Sequence, residues 1–284
     1  MKIPKISSNW KTLFKPKKYG KYVNDHTLIY NGKWHLIGIT SKKGVPTLER
    51  YFVYAVGDDL SHKFKEKSKI IDNGTLAWAP SVIEHNSLYY MFYGPSPTKL
   101  AVSYDFGDWF GQEIYINANP PMSCHRDHFV LKVGDDEWVM YVTGVKEGKS
   151  CISCLKSNDL INWQFFGYAL TSGDNSEINP SWGAFESPFV VNKDNGFYLF
   201  TTYTDCSKDT YHNTLVFFSE NPYSFGCYDG EKSFSTCAVK PIAKLYCHAP
   251  EIIIENGEYY ITSCGWRKSA FTKGSVKIAK LIWE

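Results

Sequence analysis

The stretch His125-Arg126-Asp127-His128-Phe129-Val130 is the one from which the fold can be read. It sets an acid beside a guanidinium, directly ahead of a run from Phe129 to Tyr141 that alternates like a β-strand and contains Trp138-Val139-Met140-Tyr141. One Asp at the mouth of one strand is ordinary. Here nearly the same phrase occurs elsewhere in the chain. Asn24-Asp25-His26-Thr27-Leu28-Ile29-Tyr30 leads to Trp34-His35-Leu36-Ile37-Gly38, and Ala79-Pro80-Ser81-Val82-Ile83 leads to Tyr89-Tyr90-Met91-Phe92-Tyr93-Gly94. Glu186-Ser187-Pro188-Phe189-Val190 leads to Phe197-Tyr198-Leu199-Phe200, and Ala249-Pro250-Glu251-Ile252-Ile253 leads to Tyr259-Tyr260-Ile261. Each copy is a polar or acidic opening, a short apolar strand, a turn and an aromatic strand.

The turns inside the copies are Asn31-Gly32, Asn86-Ser87, Gly134-Asp135-Asp136, Asp194-Asn195-Gly196 and Asn256-Gly257. These residue types tolerate the positive φ of tight hairpins, so five hairpins are predicted. Their starts recur at about 45 to 65 residues, the length of a four-stranded propeller blade. A second repeated phrase follows: Ser103-Tyr104-Asp105-Phe106-Gly107-Asp108-Trp109 and Ser157-Asn158-Asp159-Leu160-Ile161-Asn162-Trp163, with weaker echoes at Gly57-Asp58-Asp59-Leu60 and Ser219-Glu220-Asn221-Pro222. It reads as a turn held by side-chain-to-backbone hydrogen bonds, with an aromatic residue capping the blade edge. Helical periodicity is scarce, and the 21 Gly and 13 Pro are spread along the chain rather than gathered in a linker. The expectation is an all-β chain, one domain over residues 1–284, built as a single five-bladed β-propeller around a central funnel. The alternating run Ser275 to Trp283 is expected to supply an outer strand of the last blade or to close the ring, with residues 1–21 as an N-terminal extension packing on or closing the propeller.

Bulk properties narrow the function. The 284 residues are 43% hydrophobic and 21% charged, enough for a large core, and a net charge of +2 supplies no field for nucleic acid or an anionic membrane. Aromatic residues reach 17%, suited to pleated sheet and to stacking on ring-shaped ligands. No apolar stretch follows the lysine-rich residues 1–22, and no segment approaches the roughly 20 apolar residues of a membrane helix, so a cytoplasmic location is expected. The eight cysteines then read as reduced thiols. Cys151 and Cys154 lie three apart in an apparent strand and point to opposite faces, so no metal site is assigned, and no cofactor is expected.

In a propeller the innermost strands converge on the axis, so equivalent repeat positions face one another across the funnel. The opening position holds Asp25, Ser81, Asp127, Glu186 and Glu251. Gathering carboxylates there raises their mutual repulsion and separates their pKa values, which a fold has little structural reason to tolerate. Acids at equivalent repeat positions are therefore expected to be functional.

These residues also carry a resemblance. Asn24-Asp25 with Leu28-Ile29-Tyr30-Asn31-Gly32-Lys33-Trp34 resembles the first signature of the five-bladed propeller glycoside hydrolases of families 32, 43 and 68. Arg126-Asp127 resembles the Arg-Asp-Pro signature of families 32 and 68, and Glu186-Ser187-Pro188 resembles the segment that carries their acid. Trp78-Ala79-Pro80 and His248-Ala249-Pro250-Glu251 resemble accessory motifs of family 43. His26 and His128 stand where those families place Pro, Thr27 replaces Asn, and Ser187 replaces Cys. The resemblance implies that Glu186 is the general acid, with its pKa raised by neighbouring carboxylates. Asp25 would be the nucleophile of a retaining enzyme or the base of an inverting one, and Asp127 the stabiliser of the oxocarbenium-like transition state. The implied reaction is cleavage of a terminal furanoside or pentose bond, β-fructofuranosidase-like or α-L-arabinofuranosidase/β-xylosidase-like. A transglycosylase using the same site and a non-catalytic carbohydrate-binding propeller are the alternatives.

Asn24, Ser81, Arg126 and Glu251 are expected to bind substrate beside these acids. Trp78 and Trp182 precede the second and fourth openings and are candidates for stacking on sugar rings, whereas Trp34 reads more readily as core. His125 and His248 precede openings and are candidates for hydrogen bonding to substrate. Strict strand alternation would point Arg126 away from Asp127.

Overall fold

The computed structural model describes residues 1–173, 183–205, 210–230, 239–269 and 271–284, without the side chains of 111–115. All five predicted hairpins form, each as the two innermost strands of a sheet. Blade 1 runs outward through Asn24–Tyr30, Trp34–Thr40, Tyr51–Gly57 and Lys65–Ile70. Blade 2 runs through Trp78–His85, Leu88–Gly94, Lys99–Ser103 and Phe110–Tyr115. Blade 3 comprises Ser123–Gly134, Glu137–Lys146, Lys149–Ser157 and Gln164–Ser172, with Gly226–Tyr228 added in parallel at its edge. Blade 4 comprises Phe185–Lys193, Gly196–Tyr203, Asn213–Ser219 and Ala243–Tyr246. Blade 5 is completed from both ends of the chain. Ile252–Glu255 pairs with Glu258–Ser263, which pairs with Val276–Trp283, and both Pro4–Ile6 and Lys11–Phe14 lie antiparallel along that last strand. The run ending at Trp283 is therefore the blade's third strand, and its outer edge is covered by the N-terminal segment.

The core is a ring of five apolar clusters, each between one blade and the next. Strand alternation divides each central strand between two clusters. Leu36 faces blade 5 while Ile37 faces blade 2, and Met140 faces blade 2 while Tyr141 faces blade 4. The repeated turn phrase does the same job twice. Ser103 Oγ accepts the Phe106 N–H at 2.9 Å, Asp105 Oδ1 accepts Gly107 N–H at 2.9 Å, and the Trp109 indole donates to Phe106 O at 3.2 Å. Ser157, Leu160, Asp159, Ile161 and Trp163 reproduce these bonds at 2.9, 2.9 and 3.1 Å. Phe106 and Leu160 both sit at positive φ, 67° and 63°, with their side chains fully buried. Burying a large side chain at that corner offsets the roughly 1–2 kcal/mol of a left-handed residue.

Candidate active site

Backbone geometry sets the register of the central ring. On or just ahead of every innermost strand a non-glycine residue at the equivalent position takes a left-handed conformation: Asp25 (φ 37°), Ala79 (45°), Asp127 (54°), Ser187 (49°) and Ala249 (45°), with Cys124 (52°) a second one in blade 3. In blades 1 to 4 the pairing with the second strand slips at that residue, as a β-bulge does. These five residues are the structurally equivalent ones. The ring expected from the sequence mixes three levels. Glu186 stands one residue before the bulge, with Asn24, Trp78, Arg126 and His248. Ser81 and Glu251 stand two residues after it, roughly 6–7 Å farther along the strand.

The level before the bulge forms the funnel wall. Asn24, Trp78, Arg126, Glu186 and His248 line one cavity of about 380 Å³ together with Asp25 and Asp127. Asp25 and Asp127 also line a smaller axial cavity of about 30 Å³, shared with Ser81 and Glu251, so the two aspartates form the floor between the two spaces. Ser81 and Glu251 are thus placed below the funnel rather than in it. Both tie neighbouring inner strands: Glu251 Oε2 accepts Leu28 N–H at 2.7 Å, and Ser81 Oγ accepts Val130 N–H at 3.3 Å. His26 and His128, standing where proline was expected, make similar ties. Each ring Nε2 meets a threonine hydroxyl, Thr262 at 2.9 Å and Thr98 at 2.8 Å, and burial lowers both imidazoles to about 3, so they stay neutral.

His125 is buried two residues before the bulge and does not line the funnel. Trp34 lies in the core between blades 1 and 5 and donates to Glu255 Oε1 at 2.6 Å. Trp182 lies outside the described residues. The remaining expected residues meet at the funnel.

Arg126 sits among the acids. Its Nη2 donates to Glu186 Oε1 at 3.0 Å and its Nε lies 3.6 Å from Asp127 Oδ2. Simple alternation fails here because the bulge at Asp127 inserts an extra residue into the strand and interrupts its alternation. Ser187 joins the other two acids: its Oγ donates to Asp25 Oδ1 at 2.5 Å and its N–H to Asp127 Oδ2 at 3.1 Å. Thr143 Oγ1 donates to the same Asp127 oxygen at 3.3 Å. His248 Nε2 lies 3.9 Å from Glu186 Oε2, its ring stacked on Tyr211 at 4.1 Å. Tyr211 in turn donates to Asn24 Oδ1 at 2.6 Å.

The electrostatics depart from expectation. Burial raises Asp25, against the opposing pull of His248 and the Ser187 hydroxyl. Burial likewise raises Asp127 to about 7, although Arg126 pulls it down. Glu186 goes the other way. Burial pushes it up, but the nearby His248 and the charge and hydrogen bond of Arg126 outweigh that, holding it at about 2. Neighbouring carboxylates therefore do not raise Glu186, because a cation lies between them and it. Glu186 is thus held as the anion, while burial favours a proton on each aspartate.

Five further lining residues escaped the sequence reading: Ile39, Pro46, Glu49, Tyr211 and Trp266. Ile39 is the penultimate residue of the second strand of blade 1; the other four come from connections between the second and third strands of blades 1, 4 and 5. Antiparallel alternation returns those connections to the face where the first strand begins. That topological rule was the available signal, since the four share no sequence motif.

Five four- or five-stranded sheets around a funnel define a five-bladed β-propeller, the fold found in glycoside hydrolases of families 32 and 43. The endo-arabinanase of Bacillus licheniformis superposes with a TM-score of 0.65 at 16% identity over 95% of this chain and 98% of that one. A family 43 enzyme of Xanthomonas citri gives 0.67 at 13% identity over 91% and 87%. The family 32 β-fructofuranosidase of Bombyx mori gives 0.62 at 15% identity over 99% of this chain, which spans 62% of the silkworm chain. No protein-family model matches the sequence, and no curated protein matches it.

Proposed function

We propose that this chain is a glycoside hydrolase that cleaves a terminal furanoside or pentose bond, of the β-fructofuranosidase or α-L-arabinofuranosidase/β-xylosidase kind. One observation carries the reading: three acids from blades 1, 3 and 4, the buried Asp127 and the part-buried Asp25 and Glu186, meet at one cavity of about 380 Å³ beside a buried guanidinium. The solved enzymes with this fold support it, among them the silkworm enzyme determined with sucrose and the Xanthomonas enzyme determined with xylose.

Glycoside hydrolysis needs one proton donor and one carboxylate on opposite sides of the anomeric carbon. Asp25, on the funnel floor and held by Ser187, is the nucleophile or base. Asp127, fixed by Ser187 and Thr143, accepts sugar hydroxyls and faces the developing positive charge. Glu186 is the acid, charged with its proton on binding. Sugar hydroxyls donated to the aspartates stabilise their anions, while a ring filling the funnel desolvates Glu186, so both changes move a proton toward it. Trp78 and Trp266 offer indole faces to the ring.

Asp25→Asn and Glu186→Gln, assayed on aryl furanosides and pentosides, should each lose at least about a thousandfold in kcat on a substrate the parent protein turns over. Glu186→Gln should recover on substrates with an acidic phenol leaving group, which needs no protonation. Full activity in both variants would sink the reading. NMR of the first-formed anomer separates retention from inversion, and an added alcohol acceptor separates hydrolysis from transfer.

A further inference from the structure

Glu49 is a fourth carboxyl in the funnel, and nothing in the three-acid arrangement accounts for it. It follows the short 3-10 turn Pro46–Leu48 between the second and third strands of blade 1. Its backbone is tied at both ends: its N–H donates to Pro46 O at 3.1 Å, and its carbonyl accepts Ala77 N–H at 2.9 Å. The side chain is only 3% exposed yet lines the cavity with Asp25, Trp78 and Trp266. One carboxyl oxygen accepts the buried Tyr22 hydroxyl at 2.5 Å. The indoles of Trp266 and Trp78 give its anion further, weaker support, and none of these partners is a cation. Burial, with the field of Asp25 added, holds the carboxyl at about 8.

Burying a carboxyl without a counter-ion is costly, and a glutamine would accept the Tyr22 hydroxyl equally well. The fold therefore has no need of an acid there. The oxygen not bonded to Tyr22 remains for a ligand in the cavity, on a backbone pinned too firmly to swing away. The ionisable groups around that space are also mostly acids. Asp25, Glu49, Asp127 and Glu186 line it, while Arg126, the single lysine or arginine among the described lining residues, is already engaged by Glu186 and Asp127.

We propose that Glu49 is a substrate-binding residue that determines specificity, gripping a hydroxyl of the sugar ring beside Trp78 and Trp266 and selecting a neutral or cationic sugar over an acidic one. The inference rests on the glycosidase reading above and names its substrate class. A uronic acid would bring its carboxylate toward the Glu186 anion, with no unengaged guanidinium or ammonium among the described lining residues to meet it. A protonated ring nitrogen would instead be welcomed. At neutral pH Glu49 holds a proton and donates to a hydroxyl, and a bound cation draws that proton off and gains an ion pair.

The probe is a polyhydroxylated pyrrolidine, a cationic mimic of a furanose ring, titrated into the intact protein by calorimetry and compared with the corresponding furanose and its uronic acid. The parent protein should bind the pyrrolidine more tightly than the furanose and the uronic acid least. Glu49→Gln should weaken pyrrolidine binding about tenfold or more, erase its advantage over the furanose, and raise KM more than it lowers kcat. A crystal of the parent protein with the pyrrolidine should place Glu49 within about 3.5 Å of a ring nitrogen or hydroxyl. This second measurement stands even if the variant fails to fold. Unchanged affinity and KM in Glu49→Gln, a pyrrolidine seated in the funnel without touching Glu49, or no binding by the parent protein at millimolar concentration would each overturn the proposal. A parent protein that turns over glycosides while failing these tests loses only the Glu49 assignment. One that binds the pyrrolidine through Glu49 but hydrolyses nothing keeps the site and loses the hydrolase.

Discussion

Arg126 Nη2 lies 3.0 Å from Glu186 Oε1 while Arg126 Nε lies 3.6 Å from Asp127 Oδ2, so one buried guanidinium spans acids from two blades. Removing it takes from the part-buried Glu186 its guanidinium partner. Arg126→Met should cost about 3–5 kcal/mol at pH 7. The Glu186 carboxyl lies below its unfolded value of 4.5, at about 2, so its stabilisation is fully present above pH 4.5 and disappears as pH falls through 2. The gap between variant and parent in urea denaturation should accordingly be widest near neutrality and narrow toward pH 3. An equal gap at both pH values would mean that the loss is packing, not charge.

The Ser187 hydroxyl stabilises the ionised form of Asp25, so its removal raises the Asp25 pKa further. Ser187→Ala should fold normally, lose roughly tenfold in kcat/KM, and move the acid limb of the pH–rate profile to higher pH. A limb that stays in place or moves to lower pH would show that Asp25 is not the group whose ionisation the rate follows.

Glu251 is buried between blades 5 and 1, and burial raises it to about 8 from an unfolded value of 4.5. The folded chain therefore holds a proton there that the unfolded chain has lost, and stability falls as pH rises from 4.5 toward 8. Glu251→Gln keeps an acceptor for Leu28 N–H and removes the titration. Relative to the parent, it should gain on the order of 2–4 kcal/mol between pH 5 and pH 8, read as a rising difference in Tm. A flat difference would place the proton elsewhere.

The paired turns make a smaller prediction. Ser157 Oγ accepts the N–H groups of Leu160 and Asp159 at 2.9 and 3.2 Å. Ser157→Ala should cost about 1 kcal/mol, lowering the denaturation midpoint with an unchanged m-value. Ser103→Ala should match it, since Ser103 holds Phe106 and Asp105 in the same way at 2.9 and 3.3 Å. Clearly different losses would argue that the two corners are not equivalent.

Much of the fold was legible because its determinants are local. The hairpins follow from Asn-Gly and its relatives at positive φ, seen at Asn86, Asn195 and Asn256. The clusters between blades follow from strand alternation. The site was legible at the level of Asp25, Asp127 and Glu186 and blurred at the next. The prolines mark the true register: Pro80, Pro188 and Pro250 all stand one residue after the bulge, level with His26 and His128. Aligning on those prolines separates Glu186 from Ser81 and Glu251 without any coordinates.

By itself the sequence determined the repeat, the number of blades and the three acids that approach the axis, since each depends on residues within a few positions of one another. Only the tertiary structure decided which charges meet. Arg126 reaches Glu186 across 60 positions, and Ser187 reaches Asp25 across 162. Glu49 and Trp266 reach the same cavity from opposite ends of the chain. Proton affinities depend on distance and burial in three dimensions, so whether Glu186 is raised or lowered was settled by ring closure rather than by the motif that carries it.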